Sequence, residues 1–248
     1  NDPQSISQSS FIWKNDDGAN VNANSDVAAA STSISNIYIG ERITARIQIE
    51  NFGGDIKSNN IYSLQYENYT DAPGTWIDVD TGTEIAVSPG LSGSSGNALT
   101  TDQADSNIYT WQDGAWYEDT AQSGTITLDA KQYTELAFMI DTINATTSKT
   151  YRLRLYDQTD SEALSDYAKY PTLSTVSNDN IRYSKNTESS LPTDTADLDY
   201  YLDPAGYGDL SAEDSQYDPL VASGDYAVFL YAAQNATNTD AASSTWMG

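Results

Sequence analysis

Apolar residues alternate with polar residues in several stretches of this chain, and this two-residue period constrains the fold more than any other feature. Because successive side chains of an extended backbone point to opposite faces, such a stretch predicts a strand with one buried face. No comparable stretch shows the helical period. The alternation is clearest in four segments: RITARIQIEN (42–51), IYSLQYEN (61–68), TELAFMID (134–141) and TYRLRLYD (150–157).

Short predicted strands separated by turn-rich segments indicate an all-β chain. Turn residues concentrate in segments such as FGGD, DAPG and SPGLSGSSGN. This spacing predicts an antiparallel β-sandwich of Greek-key or jelly-roll-like topology, with a barrel as the alternative. We expect three regions: an N-terminal extension (1–10), a β-sandwich domain (11–176) and a smaller acidic C-terminal β domain or extension (177–248).

Arg152 and Arg154 raise a question because cations are scarce in this chain, which has 11 Lys and Arg against 36 Asp and Glu. A ligand-binding stripe is one interpretation of their position in TYRLRLYD. The two-residue period favours the other interpretation, in which Tyr151 and Leu153 face the core and the arginines face solvent. On such an outer face they would pair with polar residues of a neighbouring strand.

Composition restricts the classes of function. A net charge of −25 argues against a nucleic-acid partner, because phosphate binding requires a basic surface. The sequence has no His and no Cys, which removes catalytic triads, thiol nucleophiles and the usual zinc ligand sets. No apolar run approaches the roughly 18 residues that span a bilayer. We therefore expect no enzyme and no insertion into a membrane.

The surface composition favours an extracellular protein. The chain is rich in Ser, Thr, Asn and Asp and contains three N-glycosylation sequons, beginning at Asn68, Asn144 and Asn235. Such a location, with so large a negative charge, makes Ca²⁺ the expected cofactor.

Two acidic segments are candidates for calcium binding, because Ca²⁺ prefers clustered oxygen ligands. The first is the NDDG segment, with Asn15, Asp16 and Asp17, for which an ordinary turn is the alternative. The second is a C-terminal set for which a solvated acidic surface is the alternative. Its members are Asp194, Asp197, Asp199, Asp203, Asp209 and Asp214.

Four aromatic residues surround a predicted Gln112–Gly114 turn and form the candidate carbohydrate site. Exposed rings on a sandwich can stack on sugars. The alternative is a β-hairpin stabilised by cross-strand aromatic pairs. The residues are Tyr109, Trp111, Trp116 and Tyr117.

Several short motifs in a fixed order resemble a known kind of module. These are SFIWKNDDGAN, then YSLQYEN with GTWIDVD, then TELAFMID with TYRLRLYD and YAKYP. Over residues 9–175 the chain is similar to the β-sandwich domains, often tandemly repeated, of large surface and secreted proteins from bacteria and archaea. The resemblance implies a structural or adhesive role at the cell surface and brings no catalytic motif.

These observations lead to two expectations of function. The first is an extracellular structural protein that assembles with copies of itself into a fibre or surface layer. In that case the N-terminal segment, with Ile6 and Phe11, would add as a strand to the open sheet edge of a neighbour. The second is an adhesin or carbohydrate-binding module of a larger surface protein, whose partners would be cell-surface glycans.

We expect Ca²⁺ to raise the melting temperature. A cation that binds only the folded state would add about 2.7 kcal/mol to the free energy of unfolding at a hundredfold excess over Kd. The measurement is thermal melting in millimolar calcium and in excess chelator. Identical melting temperatures in the two conditions would show that calcium does not stabilise the folded chain.

Overall fold

A computed structural model of the chain describes residues 5–18, 20–176, 183–184 and 200–201. Two compact units, Asn1–Val176 and Ser177–Gly248, divide the chain. The described residues form strands, turns and loops and contain no helix, which confirms the predicted all-β class. The proposed ligands between Asp194 and Asp214, and the sequon at Asn235, lie outside the described residues.

Eighteen strands are present in the described parts of the chain. In chain order they are β1 (Ile6–Asn15), β2 (Ile34–Tyr38), β3 (Arg42–Asn51), β4 (Lys57–Asn60), β5 (Tyr62–Asn68), β6 (Ile77–Asp78), β7 (Ala86–Val87), β8 (Ala98–Leu99), β9 (Thr110–Trp111), β10 (Gly114–Tyr117), β11 (Ile126–Leu128), β12 (Gln132–Asp141), β13 (Thr150–Asp157), β14 (Glu162–Ala163), β15 (Asp166–Tyr167), β16 (Thr172–Val176), β17 (Tyr183–Ser184) and β18 (Tyr200–Tyr201).

The first sheet has eight strands, built on the antiparallel trio β1–β3–β12. Its order is β15-β1-β3-β12-β10-β8, and β7 and β9 also pair with β12. The three longest strands lie side by side in the middle, where most of the hydrogen bonds are made. Parallel strands flank these three: β15 runs parallel to β1, and β9 and β10 run parallel to β12.

The second sheet has six strands in the order β2-β16-β13-β5-β6, with β14 also paired to β13. Its centre, β5–β13–β16, is antiparallel, and β2 joins β16 in parallel. Two further pairs are separate: β4 with β11, and β17 with β18 in the second unit. The sheets are therefore mixed, with antiparallel centres.

A single hydrophobic core lies between the two sheets. Alternate residues of β3, including Ile43 and Ile47, share this core with Leu64 of β5 and with Leu153 and Leu155 of β13. Each of these side chains is almost fully buried. The two-residue period thus places one face of each sheet against the other, which is the sandwich arrangement.

The N-terminal boundary differs from the prediction. Strand β1 begins at Ile6, which pairs with Asn51 of β3, so residues 6–10 of the predicted extension belong to the sheet. Ile6 and Phe11 are each only 2% exposed and belong to the chain's own core. Strict alternation would put these residues on opposite faces, but the pairing shifts register between Gln8 and Ser10, so that both face inward.

The outer face of the first sheet is also buried, although its residues are largely polar. Thr44 and Arg46 of β3 are fully enclosed. Trp116, Ala137 and Met139 form a second apolar cluster with Val21 and Leu99. Connecting segments cover this face, so the first sheet has an interior on both sides.

A buried ion pair joins Arg46 of β3 to Glu135 of β12 on this covered face. Glu135 Oε1 accepts hydrogen bonds from the backbone N–H groups of Gln103 (3.0 Å) and Ala104 (2.7 Å), and Arg46 donates to the carbonyl of Thr101. Burial raises the pKa of Glu135, and the Arg46 guanidinium opposes that rise. The pair therefore fastens the 101–104 segment to the sheet.

We expect Arg46→Leu to lower the free energy of unfolding by about 3–5 kcal/mol, because it leaves the Glu135 carboxylate buried without its partner. The matched control is Arg42→Leu. Arg42 pairs with the buried Asp141 at 3.1 Å but is half exposed, so water reaches this pair and its loss should cost less, about 1–2 kcal/mol. Urea denaturation monitored by tryptophan fluorescence measures both, and equal losses would contradict the anchoring role of the buried pair.

Candidate functional site

The outer face of the second sheet differs from that of the first, because it is only partly covered. Strand β13 alternates as predicted: Tyr151 and Leu153 are buried, whereas Arg152 and Arg154 are half-buried on the opposite side. The register with β5 sets Arg152 opposite Glu67 and Arg154 opposite Gln65. Four polar side chains therefore share one outward-facing patch.

Arg152 is held between the Glu67 carboxylate and the Tyr69 ring. It forms an ion pair with Glu67, whose side chain is fully buried and also accepts a hydrogen bond from the Gly74 backbone N–H. The guanidinium carbon lies 3.8 Å from the centre of the Tyr69 ring and 5.0 Å from that of Tyr170. These distances are typical of cation–π contacts.

Arg154 is surrounded by rings instead of carboxylates. Its Nε donates a hydrogen bond to Gln65 Oε1 at 2.8 Å, and its guanidinium carbon lies 4.3 Å from the centre of the Trp76 ring. The rings of Tyr167 and Tyr156 follow at 5.6 and 5.9 Å. No carboxylate of the described residues forms an ion pair with it.

Aromatic residues from the connecting segments complete the patch. Trp76 stacks on Tyr170 with ring centres 5.6 Å apart, and Tyr170 stacks on Tyr167 at 5.4 Å. We call the whole set the arginine–aromatic face. Its members are Gln65, Glu67, Tyr69, Trp76, Arg152, Arg154, Tyr156, Tyr167 and Tyr170.

Two tyrosines of this face, Tyr167 and Tyr170, are held in the neutral phenol form at physiological pH. Burial raises the pKa of Tyr167 and of Tyr170, and the nearby arginines lower it by a smaller amount. The face therefore offers aromatic rings, phenol hydroxyls and guanidinium groups. These groups are suited to recognition of a ligand through stacking and hydrogen bonds.

The predicted carbohydrate site does not form as one surface. Tyr109 and Trp111 are partly exposed, but Trp116 is 1% exposed and lies in the cluster on the covered face of the first sheet. Tyr117 is buried on the other side, where it stacks on Phe138 at 5.3 Å. This corrects the prediction, because consecutive residues of a strand must point to opposite sides of the sheet.

The Gln112–Gly114 segment is not a hairpin turn either. Strands β9 and β10 follow one another along the same edge of β12, where Trp111 pairs with Tyr133 and Ala115 with Leu136. Three residues thus face two of β12, which makes an irregularity in the ladder. Gly114 is required there, since an added Cβ would lie 1.8 Å from the Glu135 carbonyl oxygen.

The carboxylates of the NDDG segment hold two different loops. Asp16 accepts hydrogen bonds from the Leu91 N–H at 2.8 Å and from the Ser92 hydroxyl at 2.7 Å. Asp17 Oδ2 accepts from the N–H and the hydroxyl of Ser25 at 2.9 and 2.8 Å, and the Asn15 amide donates to the Ser25 hydroxyl at 3.0 Å. In the part of the chain that the structure describes, no three acidic side chains converge as a cation site requires.

The two sequons within the described residues have different environments. Asn68 is 8% exposed, and its side-chain amide donates to Asp71 at 3.2 Å, so the folded chain leaves little room for a glycan there. This corrects the prediction at Asn68. Asn144 lies in an exposed loop, where the folded chain can carry a glycan.

Comparisons with known proteins assign no family. No family model matches the chain, and no curated protein matches it significantly. Among solved structures it is similar to a family 123 glycoside hydrolase from Clostridium perfringens, described for glycolipid glycan hydrolysis. The identity is 10% and the TM-score 0.27, and the match covers 66% of this chain and 26% of that chain.

Sequence reasoning found the arginines of the arginine–aromatic face but missed its rings. Trp76, Tyr167 and Tyr170 lie outside the main alternating segments, so the two-residue period cannot place them. A signal was nonetheless present, because the aromatic residues of GTW and DYAKY flank the strands that adjoin TYRLRLYD on either side.

We expect Arg152→Ala to destabilise the fold more than Arg154→Ala. Loss of Arg152 leaves the buried Glu67 carboxylate without its cation, which should cost about 1–3 kcal/mol. Arg154→Ala leaves no buried carboxylate behind and should cost less. Urea denaturation of the two variants is the measurement. A greater loss for Arg154→Ala would mean that the cation–π contacts contribute more than the ion pair.

Proposed function

We propose that this chain is a non-catalytic structural module of an extended, cell-surface or secreted protein. One observation carries the proposal: the described backbone of the first unit enters the sandwich at one end, at Ile6, and leaves it at the other, at Val176. A module of this kind continues the direction of a longer polypeptide and can bear load along it.

The register of the strands defines the two ends. At the first end, Ile6 pairs with Asn51, and Glu50 pairs with Tyr133. At the opposite end, Arg42 pairs with Asp141. The ten residues of β3 separate these ends by roughly 33 Å, at about 3.3 Å per residue.

The last strand of the first unit finishes at the second of these ends. The Thr142 hydroxyl, next to Asp141, donates to the Tyr38 carbonyl at 2.7 Å, and Tyr38 pairs with Val176. Residues 6 and 176 are therefore on opposite ends of the sandwich. A pull on the two ends of the unit acts along β1, so that its hydrogen bonds to β3 are loaded together.

The sheet edges argue against assembly by strand exchange. In the two large sheets, six of the seven edge strands contain only two residues each, and a short edge offers little backbone for a new strand; these are β6, β7, β8, β9, β14 and β15. The seventh, β2, contains Asn36 with φ of 62°, which breaks its extended conformation. Ile6 and Phe11 are already used within their own chain. Assembly through a donated N-terminal strand is therefore not part of the proposal.

Composition supports the remaining parts of the proposal. The sequence provides no His or Cys for catalysis, and its charge of −25 disfavours nucleic acid and anionic membranes as partners. None of the described residues belongs to a helix that could cross a membrane. An extracellular location and stabilisation by calcium remain consistent with the acidic surface.

The test is mechanical unfolding of the full chain. Because the chain has no Cys, two Cys residues added at its ends give unique attachment points for single-molecule pulling. We expect the first unit to resist as one body and then unfold in a single abrupt event, since the β1–β3 hydrogen bonds must break together.

The matched control changes only the pulling direction. Asp55→Cys with Asp129→Cys places both attachments in exposed segments at the same end of the sandwich, beside the end of the β3–β12 ladder. Pulling there opens that ladder one bond at a time, so the force should be clearly lower. Equal forces in both geometries, or gradual unravelling from the chain ends, would count against a load-bearing module.

A further inference from the structure

We propose that the arginine–aromatic face binds an acidic saccharide, whose carboxylate pairs with the guanidinium of Arg154. This assigns a recognition function to the outer face of the second sheet. It is separate from the load-bearing role, which depends on the two ends of the sandwich, so either proposal can fail without the other.

The first argument is the balance of charge on this face. The other arginines within the described residues each have a carboxylate partner: Arg42 with Asp141, Arg46 with Glu135 and Arg152 with Glu67. Arg154 has no such partner among the residues that the structure describes, although the chain carries 36 acidic residues and 11 basic ones. Its positive charge is therefore available to a ligand, and the complementary ligand is an anion.

The second argument is the geometry of Arg154. The Nε–H of Arg154 donates to Gln65, and the Trp76 ring packs against the Arg154 guanidinium. The Arg154 side chain is therefore fixed before a ligand arrives. A guanidinium presents its N–H groups as a planar fork that matches a carboxylate in two parallel hydrogen bonds. A fixed fork loses less side-chain entropy on binding than a free one.

The third argument is the ring of Tyr69, which is suited to stacking on a sugar. Tyr69 is 47% exposed, and the Arg152 guanidinium occupies one side of its ring at 3.8 Å. With about half of its surface exposed, the Tyr69 side chain can be reached by a ligand. Arg152 and Arg154 are two residues apart on one strand, about 7 Å at the usual rise, a span on the scale of a short oligosaccharide.

These features favour an acidic saccharide over the alternatives. A neutral sugar could stack on Tyr69 but would leave the charge of Arg154 unpaired. An extended peptide would bind most readily by adding to a sheet edge, and the edges here are short. The buried Glu67 and Gln65 act from beneath the face, where they hold the guanidinium groups of Arg152 and Arg154 in place.

The test uses two probes that differ only in charge. The full chain is titrated calorimetrically with an oligosaccharide of glucuronic acid and with the matching oligosaccharide of glucose. The difference in affinity between the two probes measures the contribution of the carboxylate. We expect the acidic probe to bind and the neutral probe to bind at least tenfold more weakly. Arg154→Gln should weaken binding of the acidic probe about ten- to hundredfold, as expected for loss of a charged hydrogen bond.

Arg42→Gln is the control variant, because it removes an arginine outside this face and should leave binding unchanged. Melting temperatures establish that each variant is folded. Arg154→Lys keeps the charge and loses the planar fork, so it should give intermediate affinity, and it decides the question if Arg154→Gln does not fold.

Several results would overturn the proposal. Equal affinity for the acidic and neutral probes would show that the carboxylate is not recognised. Failure of both probes to bind, or wild-type affinity in both folded Arg154 variants, would remove the site. Equally tight binding of a short peptide through its terminal carboxylate would assign the face to peptides instead.

Discussion

The ion pair between Arg46 and Glu135 is the interaction on which the arrangement of the first unit depends. It lies on the side of the first sheet that points away from the shared core, where alternation alone would place water. By holding the 101–104 segment through backbone hydrogen bonds, it turns that side into a second interior with Trp116 and Met139. The outer face of the second sheet is less covered, with Arg152 and Arg154 only half-buried.

The sequence predicts the central strands of the fold well, but it does not predict which segments cover the outer face of the first sheet. Alternation reports which residues of a strand share a face, and it correctly divides β3, β12 and β13 into two sides. It does not report whether the polar side meets water or another part of the chain, which is why Trp116 was expected on the surface. Nor does it register the shift between Gln8 and Ser10 that brings Ile6 and Phe11 into the core.

The candidate site was predictable only in part. Arg152 and Arg154 could be placed on an outward face from local sequence, and the structure confirms that position. Their surroundings depend on strand register and on loops that meet only in the folded chain, such as the stack of Trp76, Tyr170 and Tyr167. Contacts between residues far apart in sequence, such as Glu67 and Arg152 at a separation of 85 positions, leave no local pattern.

The short edge strands have a consequence for crowding. Proteins displayed at a surface stand beside many identical neighbours, and a long open β-edge would invite cross-β aggregation among them. Here most edges offer only two residues of backbone, while the acidic surface adds mutual repulsion. Such a molecule could be packed densely and still keep each copy separate, with its arginine–aromatic face free to meet something other than itself.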